Sequence, residues 1–213
     1  MHSPALPDVE ATPAALCRAL VGTLGMDGAA VTARGSADHG QLVFATDDIA
    51  RSVDEFHLTL NEGPAIDAFL NRSPFAVPDL AAGVAIHRWP VLTREVGPLG
   101  VSALFAFPLQ IGAVPFGTVQ LYRRVAGALT PAATTSALLA TEAIARAVLR
   151  DLDSTHGRTV APDAIAIATG MIAVQAAVPV SNALALLRAA AFAEHVSIHE
   201  IAAAVVARVR RFD

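Results

Sequence analysis

The sequence predicts an α+β chain, with an N-terminal antiparallel sheet flanked by helices followed by an all-α bundle of three helices. Three observations carry this. Runs rich in β-branched and aromatic residues, separated by turn residues, fall in the first 123 positions. Beyond residue 160 the apolar spacing is helical throughout. Between the two, Asp151 to Arg158 is polar and holds Asp153, Ser154, His156 and Gly157, the composition of a linker. The expected organisation is a leader over 1–11, a first domain over 12–150, a linker over 151–160 and a second domain over 161–213.

In the first domain, Leu16, Leu20 and Leu24 recur at helical spacing between Glu10 and Leu24, and Gly25 and Gly28 end that helix. Ala30–Arg34 and Gln41–Thr46 are β-type runs on either side of a Gly- and Asp-containing turn, which predicts a hairpin. Thr46-Asp47-Asp48 caps a helix that presents Ile49, Val53, Phe56 and Leu60 on one face. Asn61-Glu62-Gly63-Pro64 then turns the chain into a short helix through Phe69, and Pro-bounded extended segments are expected after it. Val101–Leu109 and Gly117–Tyr122 read as antiparallel strands about a turn at Gln110–Ala113, with Pro115 at an edge or bulge. Thr130-Pro131 opens a long helix through Leu138, Thr141, Ala145 and Val148.

In the second domain, Pro162 opens a helix carrying Ile165, Ala168 and Ile172, and Pro179 breaks it. Ser181 caps a second helix with Leu184, Leu187 and Ala191. Ser197-x-x-Glu200 is a capping box opening a third, whose apolar stripe Ile198, Ile201, Ala202, Val205, Val209 and Phe212 is expected to run to the end. Three helices of this length bury little surface, so the unit needs a dimer partner or docking onto the first domain.

With 54% hydrophobic and 16% charged residues and a mean hydropathy of +0.52, the chain folds rather than remaining disordered. A net charge of −4 excludes a strongly basic protein, but it is uneven: residues 1–157 carry −5 and residues 158–213 carry +1. Every basic residue is an arginine. The single cysteine, Cys17, excludes an internal disulfide, a CxxC metal site and a two-thiol redox cycle. Ala164–Leu187 has no charge over 24 residues, yet Gly170, Gln175, Pro179, Ser181 and Asn182 interrupt it, so no membrane span is expected. The N-terminal segment lacks a basic region followed by an apolar run, which predicts a cytoplasmic location. His195 and His199 have i, i+4 spacing, but a helix start at Ser197 separates them, and no metal site is expected. Asp47, Asp48, Asp54 and Glu55 read as a helix cap and a solvated helix face, and no catalytic constellation or cofactor motif is present.

The second domain contains Ala168-Thr169-Gly170-Met171-Ile172, then Ala183-Leu184-x-x-Leu187-Arg188-x-x-Ala191-Phe192, then Ile201-Ala202-x-x-Val205-Val206. These three signatures, in this order, resemble an ANTAR domain. That resemblance implies a module that binds paired RNA hairpins in nascent transcripts and prevents terminator formation. The first domain resembles a GAF sensory domain, through Asn61-Glu62-Gly63-Pro64, Pro78-Asp79-Leu80, Arg88-Trp89-Pro90, Pro108-Leu109 and Phe116–Leu121. Where many such domains place Cys after Gly-Pro, this chain has Ala65, so neither thiol sensing nor tetrapyrrole linkage is available there.

Candidate site residues follow from both readings. Hairpin RNA is held largely through phosphate, 2′-hydroxyl and shape contacts, which the planar fork of arginine suits. Arg188, at the family's Leu-Arg position, is the first candidate, with a salt bridge to Glu194 or Glu200 as the alternative. Thr169 stands where the family often has Lys, and Gly170 beside it is either a contact point or a site of close helix packing. A helix continued from Ile198 points Arg210 and Arg211 to solvent and leaves Arg208 at the border of the apolar stripe, toward RNA or as a plain solvated end. In the GAF part, a pocket between sheet and helices would be lined by Phe44, Phe56, Phe69, Trp89, Phe105 and Phe107, with the helix start at Gly63 facing an anionic ligand, unless these are simply core. The expectation is therefore a non-enzymatic, homodimeric regulator with an unknown small-molecule ligand and tandem RNA hairpins as partner. The alternative is a GAF sensor whose C-terminal helices serve only for dimerisation.

Overall fold

The computed structural model describes residues 11–36, 39–155 and 164–212. Residues 1–10 of the leader, residues 156–160 of the expected linker and the expected helix start at Pro162 lie outside them. Helix α1 (Pro13–Leu24) starts on Thr12, whose hydroxyl accepts from Ala15 N–H, and stops at Gly25 in the left-handed conformation. Strands β1 (Gly28–Arg34) and β2 (Gly40–Ala45) form the expected hairpin. Helix α2 (Asp48–Leu60) is capped by Asp47, and α3 (Pro64–Asn71) has Pro at its first position. The extended segments expected next are instead β3 (Phe75–Val77), α4 (Gly83–Arg88), α5 (Pro90–Val96) and a 3-10 turn over Gly97–Leu99. Side chains distant in sequence hold these short helices, and local periodicity carries no trace of them. Glu62 Oε1 accepts from both Val91 N–H (3.0 Å) and Leu92 N–H (2.7 Å) at the start of α5.

Strands β4 (Ala103–Ile111) and β5 (Val114–Arg123) turn at Gly112, with a register shift at Leu109/Gln110 opposite Pro115. The five strands run in the order β2-β1-β5-β4-β3, antiparallel throughout. Side chains of a strand alternate between faces. Accordingly Ala103, Phe105, Phe107 and Leu109 of β4 join Val119 and Leu121 of β5 in a core under α1 and α6 (Pro131–Thr155). Leu104, Tyr122 and Ala30 face the other way, toward α2, α4 and α5. Both faces of the sheet are covered, which is why β4 reads as a continuous apolar run.

Helix α6 differs from expectation in two respects. Its buried stripe is Ala137, Thr141, Ile144, Ala145 and Val148, so Leu138 stands exposed, one position away from the core face. It also runs to Thr155, through the first five residues of the expected linker.

The C-terminal unit is three helices, α7 (Ala164–Gln175), α8 (Val180–Glu194) and α9 (Ile198–Val206). The charge-free stretch is thus two helices, bent by 109° at a turn where Ala177 is left-handed. Pro179, not Ser181, is the N-cap residue of α8. The core holds Ile165, Ala168, Ile172, Leu184, Leu187, Ile198, Ile201 and Val205, each worth roughly 1.5–3 kcal/mol for the larger side chains, and it includes Leu58 of α2. The bundle therefore docks on the first domain, one of the two arrangements its small size called for.

Candidate functional site

The aromatic residues expected to share one pocket do not. Phe105 and Phe107 point into the α1/α6 core, where Phe44 also packs beneath the Arg18 guanidinium at 4.7 Å. Trp89 and Phe56 lie on the opposite face. Phe69 is buried on α3, 7% exposed. Because the sheet separates Phe105 and Phe107 from Trp89 and Phe56, no single pocket is lined by all of them. Gly63 does stand at the start of α3, with φ +117°, a conformation that favours glycine.

The structure brings a different set together between the sheet and α2. On β1, Thr32 and Arg34 share the parity of Ala30, and on β5, Thr118 and Gln120 share that of Tyr122; Thr32 is paired with Thr118 across the ladder. All four are buried. Above them α2 contributes Asp54 and His57, three residues apart on one face. Thr32 Oγ1 donates to Asp54 Oδ1 at 2.6 Å, and Arg34 Nη2 lies 3.9 Å from the same oxygen. Burial pushes the Asp54 carboxyl up, opposed by Arg34 and the Thr32 hydroxyl. Burial likewise pushes the Arg34 guanidinium down, opposed by Asp54.

His57 Nδ1 is 2.7 Å from the Val53 carbonyl, which can only accept, so Nδ1 carries the proton and Nε2 keeps its lone pair. Burial lowers the ring's pKa to about 3, keeping it neutral. A Cβ at Gly63 would stand 2.6 Å from this Nε2 and 2.5 Å from Leu92, so glycine admits the ring there. Seven buried polar atoms in this layer have no hydrogen-bond partner among the described residues: three guanidinium nitrogens of Arg34, Nε2 of His57, Oγ1 of Thr118, and Oε1 and Nε2 of Gln120. Buried polar groups are nearly always paired, so such a cluster sets this layer apart from an ordinary apolar core. It offers donors and acceptors but no activated nucleophile. Sequence reasoning passed over it because each residue stands alone in an apolar run. The available signal was the polar alternation Thr32-x-Arg34 and Thr118-x-Gln120 in strands expected to be core.

The other acidic residues also differ from a solvated helix face. Asp47 caps α2 as expected, but Asp54 is 5% exposed, and Glu55 Oε1 accepts from Ile198 N–H (2.9 Å) at the start of α9. Ser197 fills the rest of that cap by accepting from His199 N–H.

Among the residues expected to contact RNA, Thr169 is turned inward. It is 2% exposed and its hydroxyl donates back to Ile165 O at 2.7 Å, so it faces the bundle core. Gly170 lies on the outer face of α7, where a Cβ would meet nothing within 4 Å; close packing inside the chain is not its role. Because α9 ends at Val206 and Arg208 turns left-handed (φ 60°), the helical projection of the three terminal arginines fails, and Val209 is 83% exposed. Arg208 and Arg211 are exposed. Arg210 is bound to Glu194 at 2.6 Å and lies over the Phe212 ring, and Phe212 packs on the bundle. Arg188 is half-buried on α8 on the side of α2, close enough to Arg34 for the like charges to repel.

No family model matches the chain, and no curated protein matches it in sequence. Solved structures do. The GAF domain of a phosphoenolpyruvate-protein phosphotransferase from Coxiella burnetii superposes with a TM-score of 0.53 at 12% identity, over 71% of this chain and 89% of that one. A GAF domain region from Geobacter sulfurreducens gives 0.52 at 16% identity, over 63% and 88%. The GAF3 domain of a Synechocystis protein, in its photoproduct state, gives 0.51 at 14% identity, over 68% and 95%. These shares of the chain correspond in length to α1–α6, and at such identities the likeness shows the fold alone, a GAF-like fold.

Proposed function

We propose that this chain is a cytoplasmic, homodimeric regulator in which the GAF-type domain senses a small molecule and the three-helix bundle binds paired RNA hairpins in nascent transcripts, promoting antitermination. It acts by binding, without catalysis. The observation that carries this reading is the docking of the bundle on α2, which holds Arg188 half-buried near Arg34. A polar ligand in the Arg34–His57–Gln120 layer would bear on the helix that seats the bundle, and a shift of α2 would expose or withdraw Arg188. The net +1 of the C-terminal segment and its three helix signatures support RNA as the target.

Arg188→Ala tests it. Titrated against a paired-hairpin RNA by fluorescence anisotropy, the variant should lose about 1–3 kcal/mol of affinity, the scale of a charged hydrogen bond, with helical content unchanged. Unaltered affinity would remove Arg188 from the interface. A second reading, a sensor whose helices only dimerise, is favoured by α7 itself. The helix has no charged residue, and Ile167, Gly170 and Val174 lie open on its outer face. In that case hairpin binding is absent and self-association is nearly indifferent to salt, whereas RNA binding weakens steeply as salt rises.

A further inference from the structure

We propose that the cleft where α2 and α5 meet the turn between α8 and α9 is a second small-molecule site, built for an organic ammonium on a compact apolar body, and that its occupant locks the bundle onto the GAF-type domain. The cleft has a volume of about 310 Å³, within the range of small-ligand pockets. Both domains line it.

Its polar lining sets the acceptor oxygens of Ser52, Glu55, Thr59 and Glu95 beside the ring of His195. Thr59 Oγ1 is buried, the residue being 7% exposed, and has no hydrogen-bond partner among the described residues. Glu55 spends Oε1 on Ile198 N–H, and Glu95 spends Oε1 on Arg94, which approaches from solvent. That leaves Oε2 of each carboxylate, with the Ser52 hydroxyl beside them in the lining. An ammonium has three donors and no acceptor, so it complements this array, and charged donors make the stronger bonds to carboxylates. Phe56 of α2 and Phe192 of α8 supply apolar walls from the two domains, and aromatic faces favour a cation. The guanidinium of Arg51, also in the lining, belongs to an exposed residue at the rim.

Because α2 and α8 each form part of the wall, the ligand binds the docked arrangement and stabilises it by mass action. This goes beyond the RNA-binding reading and does not depend on it, since amine binding is read without RNA.

Calorimetry on the full chain tests it with three probes of one shape: phenethylamine, 2-phenylethanol and phenylacetate. Phenethylamine should bind about tenfold or more tightly than the alcohol, the worth of charge-assisted bonds, and phenylacetate should bind more weakly still. Glu95→Gln should lose about tenfold in amine affinity. Thr59→Val, nearly the same in shape, provides a second loss should Glu95→Gln misfold. Amine-induced NMR shifts should appear together at residues 51–59 and 191–198. Equal affinity for amine and alcohol, no binding of any probe, or unchanged affinity in folded variants overturns the site. Shifts confined to α2 overturn the locking.

Discussion

At the scale of single residues, the buried layer between sheet and α2 sets a pH dependence whose sign is fixed. His57 is neutral when folded, with a pKa lowered to about 3 by burial, against an ordinary value of 6.5. Between those values the unfolded chain binds more protons than the folded one, so stability is complete above pH 6.5 and declines as pH falls. The loss attributable to this ring is about 1.4 kcal/mol per pH unit, and His57→Phe should flatten that part of the profile in thermal melts from pH 7 to 4. The Arg34–Asp54 pair makes a second prediction. Removing one partner of a buried pair costs about 3–5 kcal/mol, but the two halves are not equivalent. An arginine cannot shed its charge in a protein, whereas a carboxyl can take up a proton. Asp54→Asn should therefore cost more than Arg34→Met at pH 7. The Arg34→Met deficit should shrink as pH falls, because the isolated Asp54 carboxyl is raised further and the folded state then binds the extra proton. Equal, pH-independent losses in denaturant titrations would refute this.

At the scale of elements, α2 does two jobs on two faces. One face, Ala50 and Val53 with Ile49, Phe56 and Leu60, packs on the sheet as the sequence periodicity predicts. The other offers Glu55 and Leu58 to the bundle. Glu55→Ala removes a cap from α9 and should cost about 0.5–2 kcal/mol locally. Amide hydrogen exchange should show faster opening of Ile198–Val206, with β4 and β5 protection unchanged; uniform loss across the sheet would contradict a local cap. This second face was not legible in the sequence, because a single-element pattern does not say that a carboxylate will cap a helix 143 residues away. The same limit hid α4 and α5, whose start is held by Glu62. Elements whose periodicity reports their own burial were legible to within a few residues, including the β1–β2 hairpin, the β4–β5 hairpin and the three C-terminal helices. The end of α9 was not, since its stripe of apolar residues continues in sequence past the left-handed turn at Arg208.

At the scale of the whole molecule, a domain of GAF-like fold and a small helical bundle share a core through Leu58. The bundle hides Thr169 inside, ties Arg210 to Glu194 and holds Arg188 at the seam. Of the residues that chemistry and resemblance marked as RNA contacts, the docked state thus presents Arg208 and Arg211 outward and withholds Arg188. The buried polar layer emerged from strand parity and unpaired polar atoms, while Phe105 and Phe107 serve the core under α1 and α6. In the proposed function, docking and hairpin binding compete for one surface.

Leu58 offers the most direct test, because its side chain is 3% exposed yet belongs to the bundle's core and not to that of the sheet. Leu58→Ser should loosen the seam while leaving the GAF-type domain folded. Hairpin affinity of the wild-type chain and of Leu58→Ser should be measured in parallel across a salt titration. The account predicts at least about tenfold tighter binding by the variant, about 1.4 kcal/mol, with a steeper fall in affinity as salt rises. Equal or weaker binding by a folded, undocked variant would contradict it.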